Sequence, residues 1–161
     1  MAGDCDRLDF VLLWYHWIGF SVKERYMYKI LIATHGKMCE GMLDTLHIFS
    51  ADIDMVTAIP FYTEGVDGDT ELETYMKNIS KDDIAVALTD IPGGSVNQKL
   101  YKYVSDNVHV ISGVNFPLLC GLALADEKSI TKDFLRGLVE DSRNLMQYMN
   151  DIVIEKNEGD E

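Results

Sequence analysis

The sequence predicts an α/β fold, a doubly wound open sheet of mainly parallel strands with helices on both faces. Short runs that are wholly or mostly apolar occur at 30–33, 55–59, 84–88 and 108–111, and such runs are typical of strands buried on both faces. Between them lie segments whose apolar residues recur every three or four positions, which indicates amphipathic helices. Strands that alternate with helices favour a parallel sheet connected by right-handed crossovers.

The helices are expected to begin at capping or spacing signals. The first helix is expected to begin at Met38, after the first strand, the second at a capping box formed by Thr70 and Glu73, and the third at a cap formed by Ser95 and Gln98. Pro117 lies in the first turn of a fourth helix over 118–125. A last helix begins at about Thr131, and its apolar face continues to Met149. Pro60 is expected to end the second strand. A short β-like piece at 152–154 follows the last helix.

The pattern along the 161 residues predicts three regions. Residues 1–26 are an N-terminal extension that is not expected to belong to the fold; an upstream start codon, or an arm that packs on the domain or on a second copy, would explain it. Residues 27–150 form the folded domain. Residues 151–161 are a tail that contains the β-like piece and an acidic end. The apolar stretch at 8–20 is too short and too interrupted to span a bilayer.

The formal net charge of −13 argues against nucleic acid and anionic membrane surfaces as partners, because both repel an acidic protein. The three cysteines, Cys5, Cys39 and Cys120, are widely spaced, so a disulfide framework or a zinc site is not expected and a reducing cytoplasm is the simpler location. Cys39 is close in sequence to His35, and a thiolate would be favoured in the first turn of a helix. A packing role is nevertheless the preferred interpretation of this cysteine.

Polar residues follow the first, third and fourth predicted strands, at the edge where open α/β sheets bind ligands. His35 and Asp90 are the candidate catalytic pair, because a carboxylate can fix one imidazole nitrogen and leave the other free as a nucleophile or base. The candidate phosphate-binding residues are Gly36, Gly93, Gly94 and Ser95, since backbone N–H groups at a helix start suit an anion. Together these residues indicate a histidine that takes up and releases a phosphoryl group.

Taken singly, each of these features also has an ordinary explanation. A lone histidine at a strand end is commonly a packing or capping residue, and an aspartate before proline and glycine is commonly a turn residue. The pair Gly93-Gly94 is neither a Walker loop nor a Rossmann fingerprint. No metal and no cofactor is expected, because the spacing offers no clear set of ligands around His35.

Three motifs resemble the IIA domain of the mannose-family phosphotransferase system (PTS). They are Ile-Leu-Ile-Ala-Thr-His-Gly at 30–36, Leu-Thr-Asp-Ile-Pro-Gly-Gly-Ser-Val-Asn at 88–97 and Gly-Val-Asn-Phe-Pro-Leu-Leu at 113–119. They occur in the family's order, and the similarity covers nearly all of 27–150. The set is therefore far more specific than any one motif.

The resemblance implies a cytoplasmic phosphoryl carrier for sugar uptake. The phosphocarrier HPr would phosphorylate His35 on Nε2, Asp90 would bind the other ring nitrogen, and Ser95 would contact the phosphate. The phosphoryl group would then pass to a IIB partner, with the IIC and IID membrane proteins involved only indirectly. The family is typically homodimeric, and some members exchange a C-terminal strand, for which 152–154 is the weak candidate.

The sequence departs from the family's familiar pattern at two positions, with Pro92 in place of a tryptophan and Val96 in place of a proline. These departures leave the partner and the sugar open. Two related alternatives are a regulatory, phosphorylatable binding module and the phosphotransfer subunit of dihydroxyacetone kinase. A receiver or flavodoxin-like nucleotide binder is disfavoured, because the first strand ends in Thr34-His35 rather than in an acidic cluster.

Overall fold

The computed structural model describes residues 28–49 and 53–152. In chain order these residues form β1 (Tyr28–His35), α1 (Met38–Phe49), β2 (Val56–Phe61), α2 (Gly68–Lys77), β3 (Ile84–Thr89), α3 (Ser95–Tyr101), β4 (Val108–Ser112), α4 (Phe116–Ala123), a 3₁₀ turn (Glu127–Ser129), α5 (Lys132–Asn144) and a second 3₁₀ turn (Met149–Asp151). The predicted alternation of strands and helices is confirmed.

The four strands form one parallel sheet in the order β2-β1-β3-β4. The crossover between β2 and β3 places β1 in the interior of the sheet, with β2 and β3 as its neighbours. In this register His35 pairs with Phe61 and Ala33 pairs with Thr89. The carboxyl ends of the first three strands therefore lie side by side, which is the edge where the sequence predicted a site.

Helices cover both faces of the sheet, as a doubly wound fold requires. Ile30 and Ile32 of β1 point into a core built with α1, α4 and α5, whereas Leu31 and Ala33 point into a smaller core built with α2 and α3. All four of these side chains are fully buried. The apolar run at 30–33 has no polar alternation because both faces of β1 are covered.

Several local predictions were wrong in their details. Pro60 lies inside β2 rather than ending it, which an edge strand tolerates because a proline there need not donate to a neighbour. Asp67, not Thr70, caps α2: its carboxylate accepts the backbone N–H of Thr70. The last helix ends at Asn144, so Leu145 and Met149 are exposed rather than part of its apolar face.

The two ends of the chain lie largely outside this description. The predicted extension 1–26 is outside the described residues, as are residues 153 and 154 of the β-like piece. Ile152, the first residue of that piece, is exposed and follows the second 3₁₀ turn. Within 28–49 and 53–152, no helix combines the length and apolar character needed to cross a membrane.

Candidate functional site

His35 and Asp90 meet at the carboxyl edge of the sheet because β1 and β3 are neighbours. His35 is the last residue of β1, and Asp90 directly follows β3. One carboxylate oxygen, Oδ2 of Asp90, accepts the backbone N–H of His35 at 2.9 Å and lies 2.7 Å from Nδ1 of the same residue. The carboxylate thus holds both the main chain and the imidazole of the histidine.

The Asp90 contact determines which ring nitrogen of His35 is available. An ionised carboxylate only accepts hydrogen bonds, so Nδ1 carries the proton and Nε2 of the neutral ring presents a lone pair. Partial burial acts to raise the pKa of Asp90, but the hydrogen bonds from the backbone and ring of His35 outweigh it and lower the pKa below its ordinary value. The ionised form therefore stabilises the fold above the ordinary carboxyl range, and this contribution is lost as the pH falls through the lowered pKa.

Ser95 faces the second nitrogen of the imidazole. Its Oγ lies 2.9 Å from Nε2 of His35. The sequence predicted Ser95 as the cap of the third helix, but Ser95 is the first residue of α3, Gly94 holds the cap position, and no side chain caps this end. The hydroxyl is available to His35 because it is not used by its own helix.

Tyr62 also contacts the histidine, and the sequence prediction missed it. Tyr62 directly follows β2; its ring stacks on the imidazole of His35 with centroids 5.4 Å apart and planes 21° apart. Its hydroxyl donates to Oγ of Ser95 at 2.9 Å. The signal that could have found it is the parallel sheet itself, because the loop after the second strand opens at the same edge as the loops after the first, third and fourth.

The Gly93-Gly94 turn is held by two side chains from the first turns of α3. Oδ1 of Asn97 accepts the N–H of Gly93 at 3.0 Å, and Nε2 of Gln98 donates to the Gly93 carbonyl at 2.8 Å. Gly93 has a φ of +73°, a backbone conformation that favours glycine. A Cβ on Gly94 would lie 2.6 Å from Cγ2 of Ile91 and 3.4 Å from Cε1 of His35, so only glycine lets the turn approach the imidazole this closely.

The N–H groups of the three candidate phosphate-binding glycines already have partners. Gly36 donates to the carbonyl of Phe61 at 2.8 Å, Gly93 donates to Asn97, and Gly94 donates to the carbonyl of Ile91 at 3.2 Å. These glycines shape the backbone around His35 in the present structure. Phosphate binding by them remains a prediction.

Cys39, considered in the sequence analysis, and Asn115, which lies in the third motif, have structural roles. Cys39 is fully buried in the larger core, where burial raises the pKa of its thiol, and its backbone N–H donates to Oγ1 of Thr34. Asn115 caps α4 through the N–H of Leu118 and donates to the carbonyl of Ser142. Among the described residues, no cluster of three or more His, Cys, Asp or Glu side chains could hold a metal ion.

The comparison with known families agrees with this fold and with a histidine at the end of the first strand. The sequence model of EIIA-man, described as the PTS system fructose IIA component, matches residues 29–139. The chain belongs to this family, which confirms the resemblance to mannose-type IIA domains. Family membership implies a phosphoryl carrier role in a sugar phosphotransferase system.

Solved structures support the fold. The chain is 28% identical to the PTS IIA protein associated with the fucose utilization operon of Streptococcus pneumoniae, with a TM-score of 0.64 over 78% of this chain and 95% of that one. It is 23% identical to a candidate phosphoenolpyruvate-dependent sugar phosphotransferase system permease from Klebsiella pneumoniae, with a TM-score of 0.72 over 81% and 98% of the two chains. It is 15% identical to the mannose/sorbose specific IIA subunit from Enterococcus faecalis, with a TM-score of 0.64 over 80% and 97%. A search of curated proteins finds no match.

Replacing Gly94 with alanine should displace the turn from His35. The new methyl group would overlap Ile91, and the neighbouring backbone leaves little room to relax, so we expect a loss of about 1–3 kcal/mol in the free energy of unfolding, measured by urea denaturation. Gly41→Ala is the matched control: a Cβ at this position in α1 meets no atom within 4 Å, and alanine in a helix should stabilise by roughly 0.5–1 kcal/mol. Equal effects of the two substitutions would contradict the steric role of Gly94.

Proposed function

We propose that this IIA component carries a phosphoryl group on Nε2 of His35, receives it from phospho-HPr and passes it to a IIB protein. The observation that carries the proposal is the contact between Nδ1 and Asp90, which leaves the lone pair of Nε2 at the carboxyl edge of the sheet. A neutral imidazole with a fixed tautomer is a competent nucleophile for phosphoryl transfer.

The transfer step needs no proton to leave the histidine. Nε2 of His35 attacks phosphorus, a new N–P bond forms, and the N–P bond of the donor histidine breaks with its electron pair returning to the donor nitrogen. Nδ1 keeps its proton, so the imidazole gains positive charge as the bond forms. Asp90, ionised and 2.7 Å away, stabilises that charge where it develops. The same steps in the opposite direction transfer the phosphoryl group from Nε2 of His35 to the IIB protein.

Ser95 and the glycines would complete the phosphoryl site. In the free protein the Ser95 hydroxyl donates to Nε2, and it can turn to a phosphoryl oxygen once that nitrogen is occupied. Gly36, Gly93 and Gly94 keep the surrounding backbone close to the ring, and their N–H groups could bind phosphate only by exchanging their present partners.

Partner proteins would dock over this edge. Tyr62 and Ile91 are 64% and 54% exposed, and both lie beside the His35 site. Exposed apolar side chains around a reacting atom suit a protein partner that must approach within bonding distance. HPr and the IIB protein as partners, and a cytoplasmic location, belong to this proposal. It assigns no role to nucleic acid.

We also propose a homodimer that uses β4 and the C-terminal tail. β4 is an edge strand, and beside it lies a groove of about 580 Å³ lined mainly by apolar residues of β4 and α5, together with Asn97, His109, Lys132 and Arg136. The segment after α5 exposes several large apolar side chains, namely Leu145, Met146, Tyr148 and Met149. Exchange of the tail between two copies would cover both features.

Incubation with phosphoenolpyruvate, enzyme I and HPr should add one acid-labile phosphoryl group, detected by intact-mass spectrometry. His35→Ala should take up none, because the variant lacks the imidazole whose Nε2 is the proposed nucleophile. His47→Ala, which removes an exposed histidine of α1, should behave like the wild-type protein. The assignment of the carrier to His35 fails if His35→Ala is still phosphorylated. The assignment of phospho-HPr as the donor fails if the wild-type protein stays unmodified while the donors are active.

Asp90→Asn should slow phosphoryl uptake from phospho-HPr by about 10- to 100-fold, because the amide neither fixes the tautomer nor balances the charge on the ring. The rate is measured by quenching the reaction at successive times, at a fixed donor concentration, and following phosphoryl uptake. Asp133→Asn, on the exposed surface of α5, is the matched control and should leave the rate unchanged. A wild-type rate for Asp90→Asn would show that the pair only supports the fold.

Light scattering should give a mass twice the 18.2 kDa of the chain for the full-length protein. Ile152→Asp should shift the protein towards the monomer on dilution, because a charge would enter the apolar strand that is exchanged. Ile48→Asp, on an exposed position of α1, should not. A wild-type protein that is monomeric at every concentration tested would refute the dimer.

A further inference from the structure

We propose that Tyr62 is a phosphoryl-binding residue that also positions His35. The inference rests on the proposed function, since it concerns the group carried on Nε2. Its basis is a chain of three contacts: the Tyr62 ring on the imidazole, the Tyr62 hydroxyl on Ser95, and the Ser95 hydroxyl on Nε2.

The backbone of Tyr62 is held in a conformation that its own side chain disfavours. Its φ is +59°, and Tyr62 is the one residue other than glycine with a positive φ in the described part of the chain. A bulky residue in the left-handed region is strained, and such strain persists where the surrounding structure enforces it. Strand pairing fixes the backbone next to Tyr62, because Gly36 donates to the carbonyl of Phe61 and β2 is paired with β1 up to that residue.

Burial does not explain why a tyrosine occupies this strained position. The side chain is 64% exposed, so little apolar area is removed from water to offset the strain. The conformation instead places the Tyr62 ring against the imidazole of His35 and the Tyr62 hydroxyl within hydrogen-bond distance of Ser95.

The direction of each hydrogen bond follows from Asp90. Since Nδ1 of His35 donates to the carboxylate, Nε2 accepts, and the Ser95 hydroxyl must donate to it. The Ser95 oxygen is then left to accept, and the Tyr62 hydroxyl donates to it. Both hydroxyl groups are therefore donors, in a chain that leads from Tyr62 through Ser95 to the nucleophilic nitrogen.

Phosphorylation would redirect these donors. A phosphoryl group on Nε2 removes the acceptor of Ser95 and places three oxygen acceptors in the space between the ring and the two hydroxyl groups. Ser95 and Tyr62 can each donate to one of them without leaving the site, and hydrogen bonds to an ionised acceptor are the stronger kind. Stacking keeps the imidazole from rotating while the group arrives and leaves.

The test measures the lifetime of the phosphohistidine in the full chain. Potassium phosphoramidate, which phosphorylates histidine without a protein donor, loads the protein, and intact-mass spectrometry follows loss of the group at neutral pH. The same treatment of His35→Ala gives the signal from the other histidines, which is subtracted. Tyr62→Phe keeps the ring and removes the hydroxyl. We expect it to shorten the lifetime by about 3- to 10-fold, the effect of one lost donor to a charged acceptor.

Two further variants separate the phosphoryl role from a backbone role. Tyr62→Gly removes the ring and the hydroxyl, and glycine adopts a φ of +59° without strain. Its urea midpoint should therefore equal or exceed that of the wild-type protein. The phosphohistidine lifetime should fall at least as far as in Tyr62→Phe. Tyr101→Phe, another exposed tyrosine, should match the wild-type lifetime.

A wild-type lifetime in Tyr62→Phe overturns the proposal, and so does a Tyr62→Gly protein that unfolds earlier but keeps its phosphoryl group as long as the wild type. Failure of the proposed function appears separately. If phosphoramidate loads His35 but phospho-HPr does not, the donor assignment is wrong, and the lifetimes still decide the role of Tyr62.

Discussion

The bond between His35 and one oxygen of Asp90 is the interaction on which the site depends. Oδ2 accepts both the backbone N–H and the ring Nδ1 of the same histidine, at 2.9 and 2.7 Å. This is feasible because β1 and β3 are parallel neighbours whose carboxyl ends lie at one edge, with Ala33 paired to Thr89. The sheet order thus sets the tautomer of the imidazole, and the tautomer sets the direction of the hydrogen bonds through Ser95 and Tyr62.

The fold was predictable because its strongest signals are physical and local. Strands covered on both faces must be short apolar runs, and 30–33 and 84–88 are such runs, with Ile30, Ile32, Val86 and Leu88 on one face and Leu31, Ala33 and Ala87 on the other. His35 and Asp90 follow those runs, so the parallel arrangement alone brings them to one edge. The three motifs resemble mannose-family IIA domains, and the match of the EIIA-man family model to residues 29–139 confirms that resemblance.

The details that were wrong or missed depend on which side chain reaches a given polar group, and a pattern of residue types does not show this. Thr70 fits a capping box, but Asp67 supplies the oxygen, and a pattern of residue types cannot show which side chain reaches the free N–H groups. Ser95 fits a cap as well, yet its hydroxyl lies against a histidine 60 positions away. Tyr62 carries no motif, because its role comes from its φ and from the pairing of β2 with β1.

A carrier must hold its phosphoryl group well enough to form the intermediate and loosely enough to release it. Asp90, largely shielded and ionised, provides a charge that does not move, whereas Ser95 and Tyr62 are exposed hydroxyl groups that can change acceptors. Exposure weakens each of these hydrogen bonds by competition with water, but it also leaves Nε2, the proposed phosphorylation site, accessible from the surface. The strain at Tyr62 is consistent with this balance, because a small cost in stability places a donor at an edge that burial alone would not organise.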